Sequence, residues 1–565
     1  MKKRVLYILF AVICLAFSCM SVSAVECEEF KGDNISAQNY YQWASPIKSY
    51  LSLADDGKLM RVEHLTYDGR VLIEYYDSSY NIISRKYIPQ ELPVFGGFYA
   101  AEDANYILSG KNNPDEKDSA EVFRITKYDK AWNRLSSASL YGVNTVVPFD
   151  AGSARFAQSG KYILVRTAHE MYTAKDGYNH QANVTIMLDS EKMTITDYYT
   201  DAMNTAYGYV SHSFNQFIKV DNDKIVALDH GDAYPRSVVL IKYKKKVSSG
   251  KFVPTEYYEY CSSVDMLDIA GKVGDNYTGC SVGGFEMSSS SYIAAICSVE
   301  QGSASDVKNI YVSVLAKNSA TPTVRKITQY TDSLSAPSTP HLVKTGSDSF
   351  VLLWEKDSQV CYTLLDGEGN LNGSIYSLSG CLSDCVPLVF GGKLVWYVRD
   401  ENEVTFYDIS LSDMAVTTKK TINTYHDFKV LSASQSSVTL ECTKCSQTKK
   451  GTIPSEFSIW WEIKGSNGYY SSAPDKRYHP GEKIKLAVDY DTADYNSYNV
   501  TSSNNKVISI SVGSSGIIYA EMLSEGEAEI TVSSEYNPKI KNTYTVSVAH
   551  AWSEKITKAT CTENG

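Results

Sequence analysis

What this chain lacks narrows its function first. After the apolar run at residues 5–17, no stretch approaches the roughly eighteen consecutive apolar residues that a membrane-spanning helix needs. Basic residues are outnumbered, 54 Lys and Arg against 65 Asp and Glu, and the formal charge of −11 argues against nucleic acid as a partner. The nucleophile-elbow, phosphate-loop, zinc-protease and calcium-hand patterns are all missing, so no cofactor or metal is expected. The acidic stretch at 111–121, KNNPDEKDSAE, has neither the turn glycine nor the terminal glutamate of a calcium loop and reads as a solvated loop. The basic run Lys242-Tyr243-Lys244-Lys245-Lys246 is too short and isolated to mark a nucleic-acid patch. Histidine is scarce too, with nine in 565 residues.

What is present begins with a leader. Lys2, Lys3 and Arg4 precede the apolar run, and Val22-Ser23-Ala24 supplies a small-residue cleavage site, so residues 1–24 read as a secretory signal peptide. Lipidation at Cys19 is the weaker reading, because Ala16-Phe17-Ser18 is a poor match for such a site. Export permits disulfides among the ten cysteines beyond the leader. Cys261, Cys280 and Cys297 cluster, as do Cys361, Cys381 and Cys385, which suggests local stapling of unassigned connectivity. Cys442 and Cys445 form the only C-x-x-C, with no second ligand pair nearby for zinc, so a structural disulfide is the better reading.

The dominant pattern is a repeat. Seven apolar strands, GKLMRVEHL (57–65), ANYILSG (104–110), GKYILVRTAH (160–169), DKIVALDHGD (223–232), SSYIAAICSVE (290–300), DSFVLLWEKD (348–357) and GKLVWYVRD (392–400), begin 44 to 67 residues apart. Most are followed by a hairpin that alternates about an Asp, Asn or Gly turn, and most are preceded by a shorter apolar stretch. Each unit therefore supplies four strands. Four-stranded antiparallel units at this period can close radially and leave only short edges. The reading is all-β: a lead-in at 25–44, then a seven-bladed β-propeller at 45–424. Forty-three tyrosines suit half-exposed strands, and some suit surfaces that stack on sugars or peptides.

Composition shifts near residue 425, and residues 425–480 read as a β-rich connector. In the following segment, 481–548, three pieces occur in order: Ser503-Asn504-Asn505 before Val507-Ile508-Ser509-Ile510, Gly516-Ile517 before a strand reaching Ala520, and Gly526-Glu527-Ala528 before Glu529-Ile530-Thr531-Val532. This segment resembles the bacterial Ig-like group 2 domain, which implies a small β-sandwich used as a spacer or adhesive unit. Residues 549–565, AHAWSEKITKATCTENG, resemble the opening of a repeat found in tandem on Gram-positive surface proteins, stopping mid-motif.

Four of the nine histidines, His169, His180, His212 and His230, fall within 62 residues of units three and four. In an up-and-down blade, the loop between the second and third strands lies at the same end as the entry from the preceding blade. That order places all four on one face, at the seam between blades three and four. Arg166, Glu170, Asp176, Gln181, Ser211, Asn215, Gln216, Asp229, Asp232, Tyr234 and Arg236 accompany them. Imidazoles with carboxylate partners suit acid-base work or ligand binding, whereas turn capping and strand bridging are the plainer uses. The wording RTAHEMY, DGYNHQAN, YGYVSHSFNQF and DHGDAYPR resembles a pattern in exported bacterial propeller proteins, without implying a role.

The expected function is recognition at the cell surface. A propeller head would bind an extracellular carbohydrate or protein through Arg166, His169, His180, Gln181, His212, Asn215, Asp229, His230, Asp232 and Arg236, carried on an Ig-like stalk. The alternatives are an extracellular enzyme using the four histidines on polysaccharide or on sulfate or phosphate esters, and a structural spacer.

Overall fold

The computed structural model describes residue 34 and residues 46–550, except 67–68, 201–210, 223, 247–250, 253–261, 401–402, 424–427, 444–447, 466–467 and 514–516. The leader, nearly all of the lead-in, Cys261, Cys445 and Cys561, and the terminal repeat beyond residue 550 lie outside the described residues. Contacts divide the chain into one unit within Glu28–Tyr425 and another within His426–Gly565.

Every regular element among the described residues is a β-strand. In the larger unit the first sheet is Ser49–Leu53, Leu59–Leu65, Arg70–Tyr76 and Ile82–Pro89, antiparallel and in chain order. The second is Val94–Ala100, Asn105–Gly110, Glu121–Tyr128 and Arg134–Tyr141. A third, ten-stranded sheet has two halves. One is built on Arg155–Ser159, Tyr162–Thr173, Asn179–Asp189 and Thr194–Tyr199, the other on Ser211–Asp221, Lys224–Ala233, Arg236–Lys246 and Ser262–Asp268. The single pair Ala182–Ser211 joins the halves. The fourth, fifth and sixth sheets, each four-stranded, run over Cys280–Lys326, His341–Ser379 and Leu388–Asn423.

The seven apolar runs of the sequence are the second strands, and most of the weaker stretches before them are first strands. Those second strands read as continuous apolar runs because both of their faces are buried. Ile293 and Ala295 face the fifth sheet while Tyr292, Ala294 and Ile296 face the third. Each pair of neighbouring sheets shares such a core, and the succession returns to its start: Leu59, Tyr76 and Tyr80 of the first sheet pack on Val395, Tyr397 and Phe406 of the sixth. At the start of the first strands, Arg155, Gly283 and His341, with Ile47 and Asp384, border one cavity of about 10 Å³, room for a single water. Strands converging on one point are the geometry of a radial array.

Among the described residues no strand is exchanged between the first and last sheets, and side chains join them. Glu63 accepts hydrogen bonds from Arg61 Nε at 3.1 Å, Tyr397 Oη at 2.8 Å and Arg399 Nη1 at 3.4 Å. Arg61 also pairs with Glu74, and its guanidinium lies 4.8 Å over the Tyr397 ring. Burial alone would raise the Glu74 carboxyl, yet Arg61 and Arg85 hold it at about 2. Asn34 adds a clasp, donating to Ser49 and Asp384 at 2.9 and 3.2 Å and accepting from the Arg399 amide at 3.0 Å.

A second linking device repeats along the chain. In the turns Asp77–Asn81, Asp129–Asn133 and Asp366–Asn370, the aspartate accepts from the backbone and side-chain amides of the asparagine four residues on. The residue before that asparagine has φ of 59°, 64° and 70° in turn. At two of the three turns it sends an aromatic ring to the preceding sheet. Tyr80 stacks on Phe406 at 5.0 Å and donates to Asp408, and Trp132 donates to Tyr75 Oη at 3.0 Å.

The local stapling expected of the cysteines is not what the strands provide. Cys280 pairs with Ser298 and Cys297 with Ser281, so the two thiols point to opposite faces and into different cores. Cys280, Cys297, Cys361, Cys381 and Cys385 carry free thiols, and the expected Cys442–Cys445 disulfide falls on Cys445, outside the described residues.

In the smaller unit, the strand Phe457–Glu462 pairs with Lys483–Tyr490 in a five-stranded sheet, and two three-stranded sheets accompany it. Val438, Leu440, Ile453, Phe457 and Trp461 share one core with Leu486, Ile518, Ile530 and Val546. Residues assigned to a connector therefore pack as part of the same body as the segment after 480.

Replacing Glu63 by Ala leaves Arg61 buried without one of its carboxylates, and the expected loss is about 3–5 kcal/mol in chemical denaturation. Replacing the exposed Asp115, which pairs with Lys117 at the surface, should leave the denaturation midpoint unchanged in the same assay.

Candidate functional site

Nine of the ten residues expected to share a face separate into three groups, and the tenth, Gln181, donates to the Asp150 and Ser213 carbonyls. His169 and His230 are fully buried and lie apart. His169 Nδ1 and Thr145 Oγ1 share a hydrogen bond of 2.7 Å. His230 Nε2 and Thr278 Oγ1 share one of 3.0 Å, with Phe214 edge-on to the ring. Each imidazole ties its strand to the chain segment between neighbouring sheets. Burial pushes both down to about 3, so both are neutral at pH 7. The expected meeting of four histidines is corrected here: strands Tyr162–Thr173 and Lys224–Ala233 carry these two inward rather than onto the face.

The second group is a polar layer between the halves of the third sheet. Arg166 grips Asp229 at 2.5 and 3.3 Å and donates to Thr185 and Tyr243, while Ser213 donates to Asp229 at 3.2 Å. Asn215 donates to the Val282 carbonyl of the fourth sheet. Arg236 holds the 270–277 segment through the carbonyls of Ala270, Asp275 and Tyr277. These side chains are spent on structure.

The third group does come together. The rings of His180 and His212 stack with centroids 6.1 Å apart and planes 18° from parallel. His180 Nε2 lies 2.8 Å from Asp176, and His212 Nδ1 lies 2.9 Å from the fully buried Asp232 carboxylate. Asp232 raises the His212 imidazole above its ordinary 6.5 against the opposing effect of burial. No aligned hydrogen bond reaches either Asp232 oxygen. His212 and Tyr234 hold φ of 48° and 47°, a left-handed backbone that costs energy in residues with a Cβ and recurs at functional sites.

The same end of the sheets carries aromatic rings in the open. Tyr141, at the end of its strand, and Tyr178, Tyr234 and Tyr277, on connections, are 57%, 70%, 64% and 58% exposed. Only Tyr234 was singled out from sequence. Tyr178 and Tyr277 share its setting, a tyrosine two residues after an Asp (Asp176, Asp232 and Asp275), and that signal would have found them. Two acids also lie here. Burial raises the Asp150 carboxyl, and burial with the Asp150 charge raises that of Glu170. Asp150 gave no sign in the sequence.

No family model matches the chain, and no curated protein matches it. Its structural neighbours are β-propeller proteins. Prolyl oligopeptidase B from Galerina marginata matches with TM-score 0.41 and 8% identity over 73% of this chain, and the match takes in 56% of the oligopeptidase's length. An ulvanlyase, a polysaccharide lyase, matches with TM-score 0.36 and 10% identity, covering 71% of this chain and 95% of that one. The β-propeller domain of the trilobed protease from Pyrococcus furiosus matches with TM-score 0.33 and 11% identity, covering 68% and 97%. At these values the likeness concerns the fold alone.

The buried imidazoles set an acid limit. His169 and His230 fall to about 3 and His341 to about 4 on folding, from 6.5. Their folded values are depressed, so the unfolded chain binds protons first, and the stability present above 6.5 drains as pH falls toward 3–4. Each group removes roughly 1 kcal/mol per pH unit in that window. His212 has the opposite sign, and its contribution is present below 6.5 and lost as pH rises through its raised value. Three groups outweigh one, so the thermal midpoint should drop steadily from pH 6.5 to 4.5, as scanning calorimetry would record.

Proposed function

We propose that this chain is an exported surface protein in which a seven-bladed propeller, counting the two halves of the third sheet as separate blades, binds carbohydrate and is carried on an Ig-like sandwich. The observation that carries the reading is that the exposed Tyr141, Tyr178, Tyr234 and Tyr277 lie at the same end of their sheets as the His180–His212 stack. Flat aromatic faces beside fixed polar groups suit a sugar, which offers an apolar ring face and hydroxyls at its edge. The buried Asp232 carboxylate lies 2.9 Å from His212 Nδ1 and favours its charged form, so a ligand hydroxyl meets an imidazole with a carboxylate behind it. Export rests on the leader at 1–24, and the stalk on the Ig-like resemblance of 481–548.

One observation favours a second reading, an enzyme acting on polysaccharide. Two imidazoles in contact, one of them raised by a buried carboxylate, form a pair that can hold and pass a proton. This pair serves in place of the four-histidine cluster.

The test is a glycan array probed with the purified chain and with the double variant Tyr178→Ala/Tyr234→Ala. The double variant should lose at least tenfold in affinity for any glycan bound, with its melting temperature unchanged, because both rings are exposed. Full binding by that variant would move recognition elsewhere. Release of reducing ends from a bound polysaccharide, abolished in His212→Gln, would favour the enzyme.

A further inference from the structure

We propose that the Asp150–Gly152 turn, with Glu170, Gln181 and Gln216, binds a hard divalent cation, Ca²⁺, beside the histidine pair. Gln181 and Gln216 both reach the Asp150–Gly152 turn, and Glu170 neighbours Gln181. Gln181 Nε2 donates to the Asp150 carbonyl at 2.9 Å and also to the Ser213 carbonyl. Glu170 lies directly opposite Gln181 in the strand register. Gln216 Nε2 donates to Ser213 Oγ at 2.9 Å, and its Oε1 sits 2.7 Å from where a Cβ on Gly152 would lie. Only glycine leaves that oxygen its place.

The atoms these residues turn toward the region are oxygens. Gln181 and Gln216 are 8% and 0% exposed, and Oε1 of each has no hydrogen-bond partner. The amide orientation is fixed in both cases, because each nitrogen already donates to two acceptors. Asp150 and Glu170 repel one another, and among the described residues no cationic side chain pairs with either carboxylate. Unmet buried acceptors and uncompensated carboxylates are both relieved by one positive ion. An oxygen-only set of carboxylates and amide carbonyls, on a turn and two strands that can adjust, is the donor chemistry of Ca²⁺, whereas zinc or copper would call for thiolate or imidazole. The reading is independent of carbohydrate binding.

The experiment is calorimetric titration of CaCl₂ into the chelator-treated chain at pH 7.5, with thermal unfolding in EDTA and in CaCl₂, for the natural chain, Asp150→Asn and Glu170→Gln. One site should appear, with a melting temperature several degrees higher in Ca²⁺. Each variant should bind at least tenfold more weakly, yet unfold in EDTA no lower than the natural chain, because losing a repelled carboxylate costs the empty site nothing. Absence of binding heat and of any Ca²⁺-dependent shift would overturn the proposal. So would binding that both variants retain in full, which would place the ion elsewhere, for example at the acidic 111–121 loop.

Discussion

The buried contact of Arg61 and Glu63 with Tyr397 is what the larger unit depends on, since it joins strands 334 residues apart in the chain. Each sheet buries both faces of its middle strands, so an open succession would leave the outer faces of the first and last sheets in water. Leu59, Tyr76, Val395 and Phe406 supply apolar area for that junction, but apolar packing alone tolerates sliding. The ion network does not. Glu63 and Glu74 are wholly desolvated, and their charges are tolerable only with Arg61, Arg85 and Arg399 at the observed positions. Because no strand among the described residues crosses the junction, these side chains carry the registration that strand exchange would otherwise provide.

The opposite condition holds between the two halves of the third sheet. There the strands do join, but through one residue pair, and the register shifts at Glu170/Thr173 on one side and Phe214/Phe217 on the other. Irregular strands re-aim side chains. Those of His212 and Gln216 leave the regular alternation here, and the left-handed turn at His212 sets its ring against His180. Arg166 and Asp229 stitch the halves together beneath, which makes the irregularity affordable. The candidate sugar and cation sites are thus neighbours for one physical reason: the least regular part of the array is where polar atoms are left facing a ligand.

Much of the fold was legible in the sequence. Runs such as FVLLW at 350–354 and YIAAIC at 292–297 announce strands buried on both faces, and the hairpin turns D-x-x-x-N mark where third and fourth strands meet. The site was legible only in part. Strand order placed His180, His212 and Asp232 at the correct seam, but it cannot tell how deep along a strand the face begins, so His169 and His230 were counted with them. Asp150 and the Arg61–Glu63–Glu74 network left no trace, because each depends on partners distant in sequence. The cysteines misled for a related reason: neighbours in sequence on paired strands point into different cores.

The central claim is that the first and last sheets form one cooperative body through their buried contacts. Native-state hydrogen exchange of Leu59–Leu65 and Lys393–Asp400 tests it most directly. The two strands should exchange with the same opening free energy and the same denaturant dependence, and both values should fall together in Tyr397→Phe. Exchange of Lys393–Asp400 through a smaller, separate opening, with Leu59–Leu65 still protected, would contradict the account.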